Sequence, residues 1–409
     1  MTKKQSTARF LQGGGVGVEK RSLPMGLIGR ILIIFLAIIF WGNGFIIPTP
    51  QVGGVFAAQQ EEGLGQGEYS GPYWPTKDWR SCKPEAVGMN SEKLRQAIEY
   101  AATPRFKTEG LVIIRKGYVV GEGYFGKFKM DSTHSSHSMA KSFTSTLIGI
   151  AIDKGLIKGI DEKLCLYYPE WDCENRGDFR SRITIRHALT LTTGLEWQEN
   201  WVRMDPETND ALKMGMSGRY IKYMTERKGL YEPGERFVYS TGDPMLLSGV
   251  LQKATGKTAF EFAQQNLFQP LNITKVRWEG DKEGFTATAW GLHTTVRDFA
   301  KFGYLFLNKG VWEEKEVVSK GWVEKATQND SSVRMWNAYG YLWHVNLPLR
   351  LRDFSGVLPQ DGFMAEGILG QNIFIIPSKE IVVVRVANQI GGNLDLVHFL
   401  TLIIKAIEK

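Results

Sequence analysis

Three cysteines in 409 residues, Cys82, Cys165 and Cys173, are too few for a disulfide-built scaffold. Cys165 and Cys173 stand eight apart in a Tyr- and Pro-containing loop. Export would allow them to pair and leave Cys82 over; three free buried thiols are the equal alternative. Histidine is also scarce, with six residues scattered along the chain. His134 and His137 offer two ligands with no further candidate nearby, so no metal centre and no cofactor are expected. The body of the chain lacks a surplus of one charge. Of the net +7, the head before residue 31 carries Lys3, Lys4, Arg9, Lys20, Arg21 and Arg30 against Glu19, which leaves 44 basic and 42 acidic residues. Such a balance gives no argument for nucleic acid or for an anionic substrate. There is no internal repeat and no Gly-x-Ser-x-Gly elbow, which excludes the usual α/β-hydrolase nucleophile. Gly13-Gly14-Gly15 lies in the basic head and is not a phosphate loop.

Long apolar runs are missing except for one. Ile31 to Phe40, extended by Trp41 and Phe45-Ile46-Ile47, gives an apolar span of about 17 residues, at the low edge of what crosses a bilayer. A basic segment, an apolar core and then Val55-Phe56-Ala57 read as a secretory signal cut near Ala57 or Ala58, with an uncleaved signal anchor as the alternative. No cysteine follows the run, so a lipoprotein anchor is not indicated. The expected location is therefore exported, in a bacterial periplasm or on the inner membrane facing it, with membrane contact only through this segment. Residues 1–57 are assigned to the signal, 58–80 to a Gly- and Gln-rich linker, and 81–409 to one folded domain.

Composition supports that domain: 43% hydrophobic and 23% charged residues are globular values. Asn90-Ser91 to Ala102 has a polar cap and an apolar face, as a helix requires. Leu111 to Ile114 and Tyr118 to Val120 flank Arg115-Lys116-Gly117 as a hairpin would. Helical spacing then dominates from Gly155 to about Thr286, including Ile183 to Leu191, Lys213 to Arg227, Leu246 to Ala254 and Ala259 to Leu267. Another helix is expected over Arg297 to Leu307. Strands return at Tyr339 to Val345, Asn372 to Ile376 and Ile381 to Val386, before a closing helix over Leu396 to Ile407. The reading is an α+β fold, with one sheet built from both chain ends and a mainly helical subdomain inserted at 155–286.

Chemistry concentrates at Ser138-Met139-Ala140-Lys141. These residues open an apolar-periodic helix running to about Lys154, with Phe143, Leu147, Ile150 and Ala151 on its inner face. Ser and Lys three apart share a helix face. A serine at a first helical turn also sits where free amides favour an oxyanion. The pair is what a serine nucleophile needs, but Ser-x-x-Lys alone is common.

Four further segments agree with it. Ile183-Thr184-Ile185-Arg186-His187-Ala188-Leu189 leads into Thr192-Thr193-Gly194-Leu195. Pro233-Gly234-Glu235-Arg236-Phe237-Val238-Tyr239-Ser240-Thr241 precedes a helix. Leu267-Phe268-Gln269-Pro270-Leu271 and Gly291-Leu292-His293-Thr294-Thr295 follow. From about residue 80 onward this ordered set resembles the serine β-lactamase-related hydrolases, which include class C β-lactamases and penicillin-binding-protein-like enzymes, and within them the 6-aminohexanoate-dimer hydrolases. The resemblance implies a β-lactamase/transpeptidase-like fold, an antiparallel sheet flanked by helices. It implies Ser138 as nucleophile and a Tyr-x-Asn-like element at Tyr239-Ser240-Thr241, with Tyr239 and Lys141 relaying protons. A phenol beside an ammonium is expected to have its pKa pulled down, and the two groups to titrate as a pair.

The family's Lys-Thr-Gly triplet on the inner strand falls on Ala365-Glu366-Gly367, where only the glycine is kept. Gly367 would let substrate approach the strand, and the Ile368 amide would join Ser138 as an oxyanion donor. The missing lysine argues against β-lactam hydrolysis as the main activity. Glu366 either meets an amine-bearing substrate or lies on the surface. The class A arrangement, with a glutamate activating the deacylating water, is not evident. The Trp residues in loops (Trp171, Trp197, Trp201, Trp290, Trp336) either pack the core edge or line a cleft. The expectation is thus an exported esterase or amidase acting on a small molecule. Its alternatives are a catalytically silent binding protein on the same scaffold, or a β-lactamase or D-Ala carboxypeptidase.

Overall fold

Every residue of Gln371–Ile376 and Ile381–Ala387 is buried. Strands without a wet face need helices on both sides, and that is how the chain is arranged. The structure, a computed structural model, describes residues 63–200, 205–333, 338–389 and 393–408. The expected signal segment, Trp201 and Trp336 lie outside these.

In chain order come α1 (Ser91–Ala102), β1 (Thr108–Arg115), β2 (Tyr118–Tyr124), β3 (Thr133–Ser135) and α2 (Ala140–Asp153). The helical stretch follows with α3 (Ile185–Thr190), α4 (Asp210–Ser217), α5 (Tyr220–Thr225), α6 (Asp243–Thr255) and α7 (Ala259–Ala263). Next are β4 (Arg277–Trp278), β5 (Leu292–Thr295), α8 (Val296–Leu307), a small hairpin of β6 (Val311–Trp312) and β7 (Lys315–Glu316), and α9 (Lys320–Ala326). The chain closes with β8 (His344–Val345), α10 (Leu347–Leu351), β9 (Phe363–Gly367), β10 (Gln371–Ile376), β11 (Ile381–Ala387) and α11 (Leu396–Lys405).

One antiparallel sheet has the order β2-β1-β11-β10-β9-β8, so the chain ends meet at its centre. Val112 lies opposite Val384 and Ile113 opposite Val383. Alternation of side chains along each strand then divides the interior in two. Leu111, Ile113, Phe374 and Val383 pack with Leu94, Ile98, Phe399 and Ile403 of α1 and α11. Val112, Ile114, Ile373, Ile375, Val382 and Val384 face the larger core, which holds α2, α6 and α8. A second sheet, β3-β5-β4, flanks the start of α2.

Several expectations need correction. Residues 63–80, read as linker, are tied to the domain: Leu64 bridges Gly121, Gly65 N–H donates to Val120 O at 2.8 Å, and Trp79 is buried. Of the aromatics that looked like a linker's end, Trp79 is core, Tyr73 and Trp74 pack half-buried against the two cores, and Tyr69 is exposed. The helix expected over Lys213 to Arg227 is two, because Gly218 adopts φ +63 and ends α4 with a left-handed cap. Of the strand expected at Tyr339 to Val345 only β8 is extended. Gly340 N–H turns back to Trp343 O at 2.8 Å, while Tyr339 bridges His344. The α-helix carrying the candidate nucleophile starts at Ala140, two residues later than read, after a 3-10 turn over His137–Met139. Cys165 and Cys173 form a disulfide, and Cys82 is a buried free thiol.

Candidate active site

Helix α2 is buried on all sides from Ala140 to Ala151, so its hydroxyls must find partners inside. Ser142 donates to Leu342 O at 2.8 Å and Thr144 to Thr288 O at 2.7 Å. Phe143 stacks on Phe302 of α8, with ring centroids 3.6 Å apart. These contacts fix the helix that the Ser138 turn leads into.

The turn itself is clamped from two sides. Ser136 N–H donates to Leu292 O of β5 at 2.7 Å. On the other side β9 comes so close that a Cβ on Gly367 would lie 2.5 Å from Ser136 O and 3.1 Å from His137 Cβ. Gly367 is therefore required by the approach of the strand to the turn that carries Ser138. Ile368 opens the turn that follows β9. His137 has φ +44, a strained conformation for a non-glycine residue, immediately before Ser138.

Lys141 Nζ donates to Ser138 Oγ at 2.9 Å, to Thr241 Oγ1 at 3.3 Å and to Ala289 O at 3.4 Å. It also lies 5.2 Å from the centroid of the Tyr239 ring, and Tyr239 is hydrogen-bonded to Ser138. The Ser138–Lys141 pair and the sequence-distant Tyr239 thus meet. Burial pulls the Lys141 amine down from 10.5 to about 8, opposed by the charge of Glu199. The expected effect on the phenol is reversed: burial, then Glu199, push Tyr239 above its ordinary value, and the bond to Ser138 offsets this only in part. With the amine depressed and the phenol raised, Lys141 is the first of the pair to lose its proton as pH rises, and Tyr239 keeps its proton near neutral pH.

Motifs that carried the resemblance turn out to hold this geometry. Thr193 Oγ1 and Ser240 Oγ donate to Asp243 Oδ1 at 2.9 and 3.1 Å. The Asp243 carboxyl is buried, which pushes it up to about 7. It joins the loop after α3 to the Tyr239 turn and opens α6. Glu366 is neither free nor a surface residue. Arg350 of α10 closes on its carboxylate, His344 Nε2 stands 3.5 Å from it, and Arg350 Nε donates to His344 Nδ1 at 3.0 Å. Sequence reading missed Glu199, Asp243, His344 and Arg350. Asp243-Pro244 has a helix-start signature that could have drawn attention; Glu199 had no local signal.

His134 and His137 do not converge. His134 Nδ1 bonds Glu109 Oε2 at 2.9 Å, whereas His137 faces His293 and Glu279, and burial pulls it down to about 4. Among the described residues no group of three His, Cys, Asp or Glu side chains could hold a metal ion. Of the loop tryptophans, Trp171 and Trp197 are core, and Trp290 is half-buried against Tyr220.

With this geometry in hand, the sequence matches the family described as Beta-lactamase over residues 97–404. The chain belongs to the beta-lactamase family. The 6-aminohexanoate-dimer hydrolase of Paenarthrobacter ureafaciens is 23% identical over 329 residues, which covers 74% of this chain and 77% of that one. Among solved structures, the octameric penicillin-binding protein homologue from Pyrococcus abyssi superposes with a TM-score of 0.57 at 20% identity, over 78% of this chain and 77% of that one. EstCE1, a hydrolase with promiscuous acyltransferase activity, gives 0.63 at 14% identity, over 78% and 99%. At these identities the structural likeness is one of fold. The sheet order and flanking helices found here are those of a beta-lactamase-family α+β domain, and its relatives include hydrolases.

Proposed function

We propose that this beta-lactamase-family chain is a serine hydrolase that opens a small-molecule ester or amide through an acyl-enzyme on Ser138. The observation that carries the reading is the 2.9 Å contact between Ser138 Oγ and a buried lysine whose amine is depressed to about 8. As Ser138 Oγ bonds to the carbonyl carbon, its proton passes to Lys141. The oxyanion is taken by the Ser138 and Ile368 amides. When the bond to the leaving group breaks, Tyr239 donates its phenolic proton to that group and is reprotonated by the Lys141 ammonium. Water then attacks the acyl carbon, gives up a proton through the same pair, and releases the acid with Ser138 restored.

A fluorophosphonate probe tests this. The protein should be tagged at Ser138, as mapped by peptide mass spectrometry, and Ser138→Ala should abolish tagging. A wild-type protein that resists the probe and turns over no ester in a nitrophenyl panel would favour a silent binding protein instead.

We further propose export. The basic head and apolar run of residues 1–57 support it, as does the Cys165–Cys173 bond, since such bonds persist in oxidising compartments. Fractionation of expressing cells, with a fusion that reports periplasmic exposure, is the direct check; a reporter confined to the cytoplasm would overturn it.

A further inference from the structure

Beyond Lys141, linked to it through Thr241, stands a carboxylate that no motif announced, that of Glu199. Lys141 Nζ reaches Thr241 Oγ1 at 3.3 Å, and that hydroxyl donates to Glu199 Oε1 at 2.7 Å. The Thr241 amide donates to Glu199 Oε2 at 2.8 Å, and Trp197 Nε1 donates to the same oxygen at 2.9 Å. Two of these three donors belong to the residue that also touches the lysine. The carboxylate, the threonine and the amine therefore form one chain of hydrogen bonds that ends at the nucleophile.

We infer that Glu199 is a positioning residue for the reaction proposed above, acting through Thr241 to orient Lys141 and to set how firmly its amine holds a proton. The inference rests on that reading. The groups facing Lys141 make the assignment specific. Ser138 and the Ala289 carbonyl are uncharged, and Tyr239 keeps its proton. His344 is neutral, because burial, Arg350 and Lys141 all pull it down. Glu366 is held by Arg350 and acts on Tyr239. Glu199 is the anion that opposes burial of the amine. A lysine that took the serine proton but could not hold it through acyl transfer would relay poorly. An anion one hydroxyl away supplies the holding power.

The test is the pH dependence of Ser138 labelling by a fluorophosphonate, measured for wild type, Glu199→Gln and Glu199→Asp. In wild type the labelling rate should rise with pH through the titration of Lys141. Glu199→Gln should move that inflection to lower pH by about one unit, and Glu199→Asp should return it most of the way. A Gln variant slowed by one factor at all pH values, with its inflection unmoved, would assign Glu199 a purely structural role and overturn the inference. If Glu199→Gln does not fold, Thr241→Val removes the bridging hydroxyl alone. It should slow labelling by about tenfold or more, and an unchanged rate would overturn the inference. Failure of the wild type to be labelled at all would remove the hydrolase reading, and this inference with it.

Discussion

Arg350 of α10 grips the carboxylate of Glu366, the middle residue of the Ala365-Glu366-Gly367 triplet on β9. The pair leaves no net charge there to hold a substrate carboxylate, and a paired charge is not given up without cost. Neutral acyl donors should therefore be preferred to carboxylate-bearing ones. The expected outcome is that kcat/KM for a neutral nitrophenyl ester exceeds that for a chromogenic cephalosporin by about a hundredfold or more, a ratio of the size set by one well-placed charge. A cephalosporin turned over as fast as the ester would remove this account of Glu366.

Lys141→Ala and Tyr239→Phe should each lower turnover by about a hundredfold or more, the usual scale of a lost acid–base group. The effects should fall on kcat, since neither side chain is proposed to hold the substrate. A Tyr239→Phe protein with wild-type turnover would show the relay to be misassigned while leaving Ser138 as nucleophile. Steady-state kinetics with one ester settles both.

The acid limb of the rate profile should belong to Lys141. Its amine must be neutral to accept the Ser138 proton, and burial has brought its pKa from 10.5 to about 8. Activity should thus fall by about tenfold per unit as pH drops below that value, and rise towards it from neutral. Tyr239, displaced upward, should leave no inflection between pH 6 and 9. A profile flat from pH 6 to 9 would contradict the assignment of Lys141 as acceptor.

The Cys165–Cys173 bond closes a short loop, with a sequence separation of 8. By the chain-entropy argument, such a loop stabilises the fold by about 2–3 kcal/mol. Cys165→Ala with Cys173→Ala should lower urea stability by that order, and reductant should do the same to the wild type. Ser138 labelling in native buffer should persist, because no cysteine touches the site. Equal midpoints with and without reductant would argue against the bond in solution.

The legible parts of this protein are those fixed by short-range geometry. Ser138 and Lys141 share a helical face by spacing alone, and the Val- and Ile-rich β1, β10 and β11 have little alternative to a buried sheet. Asn90 capping Lys93 N–H at 3.0 Å was equally readable. The resemblance, more than any residue pattern, placed Tyr239 beside them. What escaped depends on contacts across the fold. Tyr339 to Val345 has strand composition, yet a turn at Gly340 folds it back. Glu199 reaches Lys141 only through Thr241, a residue of the Tyr239 turn that the fold brings to it. The upward displacement of the phenol comes first from its burial and then from that same carboxylate, and neither could be read before the fold was placed. Glu366 drew attention as a departure from the family, but its partner lies on a short helix that nothing in the sequence marked.

The meeting of the two chain ends has a consequence for biogenesis. Val112 must wait for Val384, so nearly the whole polypeptide has to leave the ribosome before β1 gains its inner neighbour. Until then the early hairpin is an open, apolar edge of the kind that invites aggregation. A C-terminal truncation that removes β11 should accordingly yield inclusion bodies rather than a smaller soluble domain, and a cell that makes this chain has reason to keep it chaperoned up to its final strand.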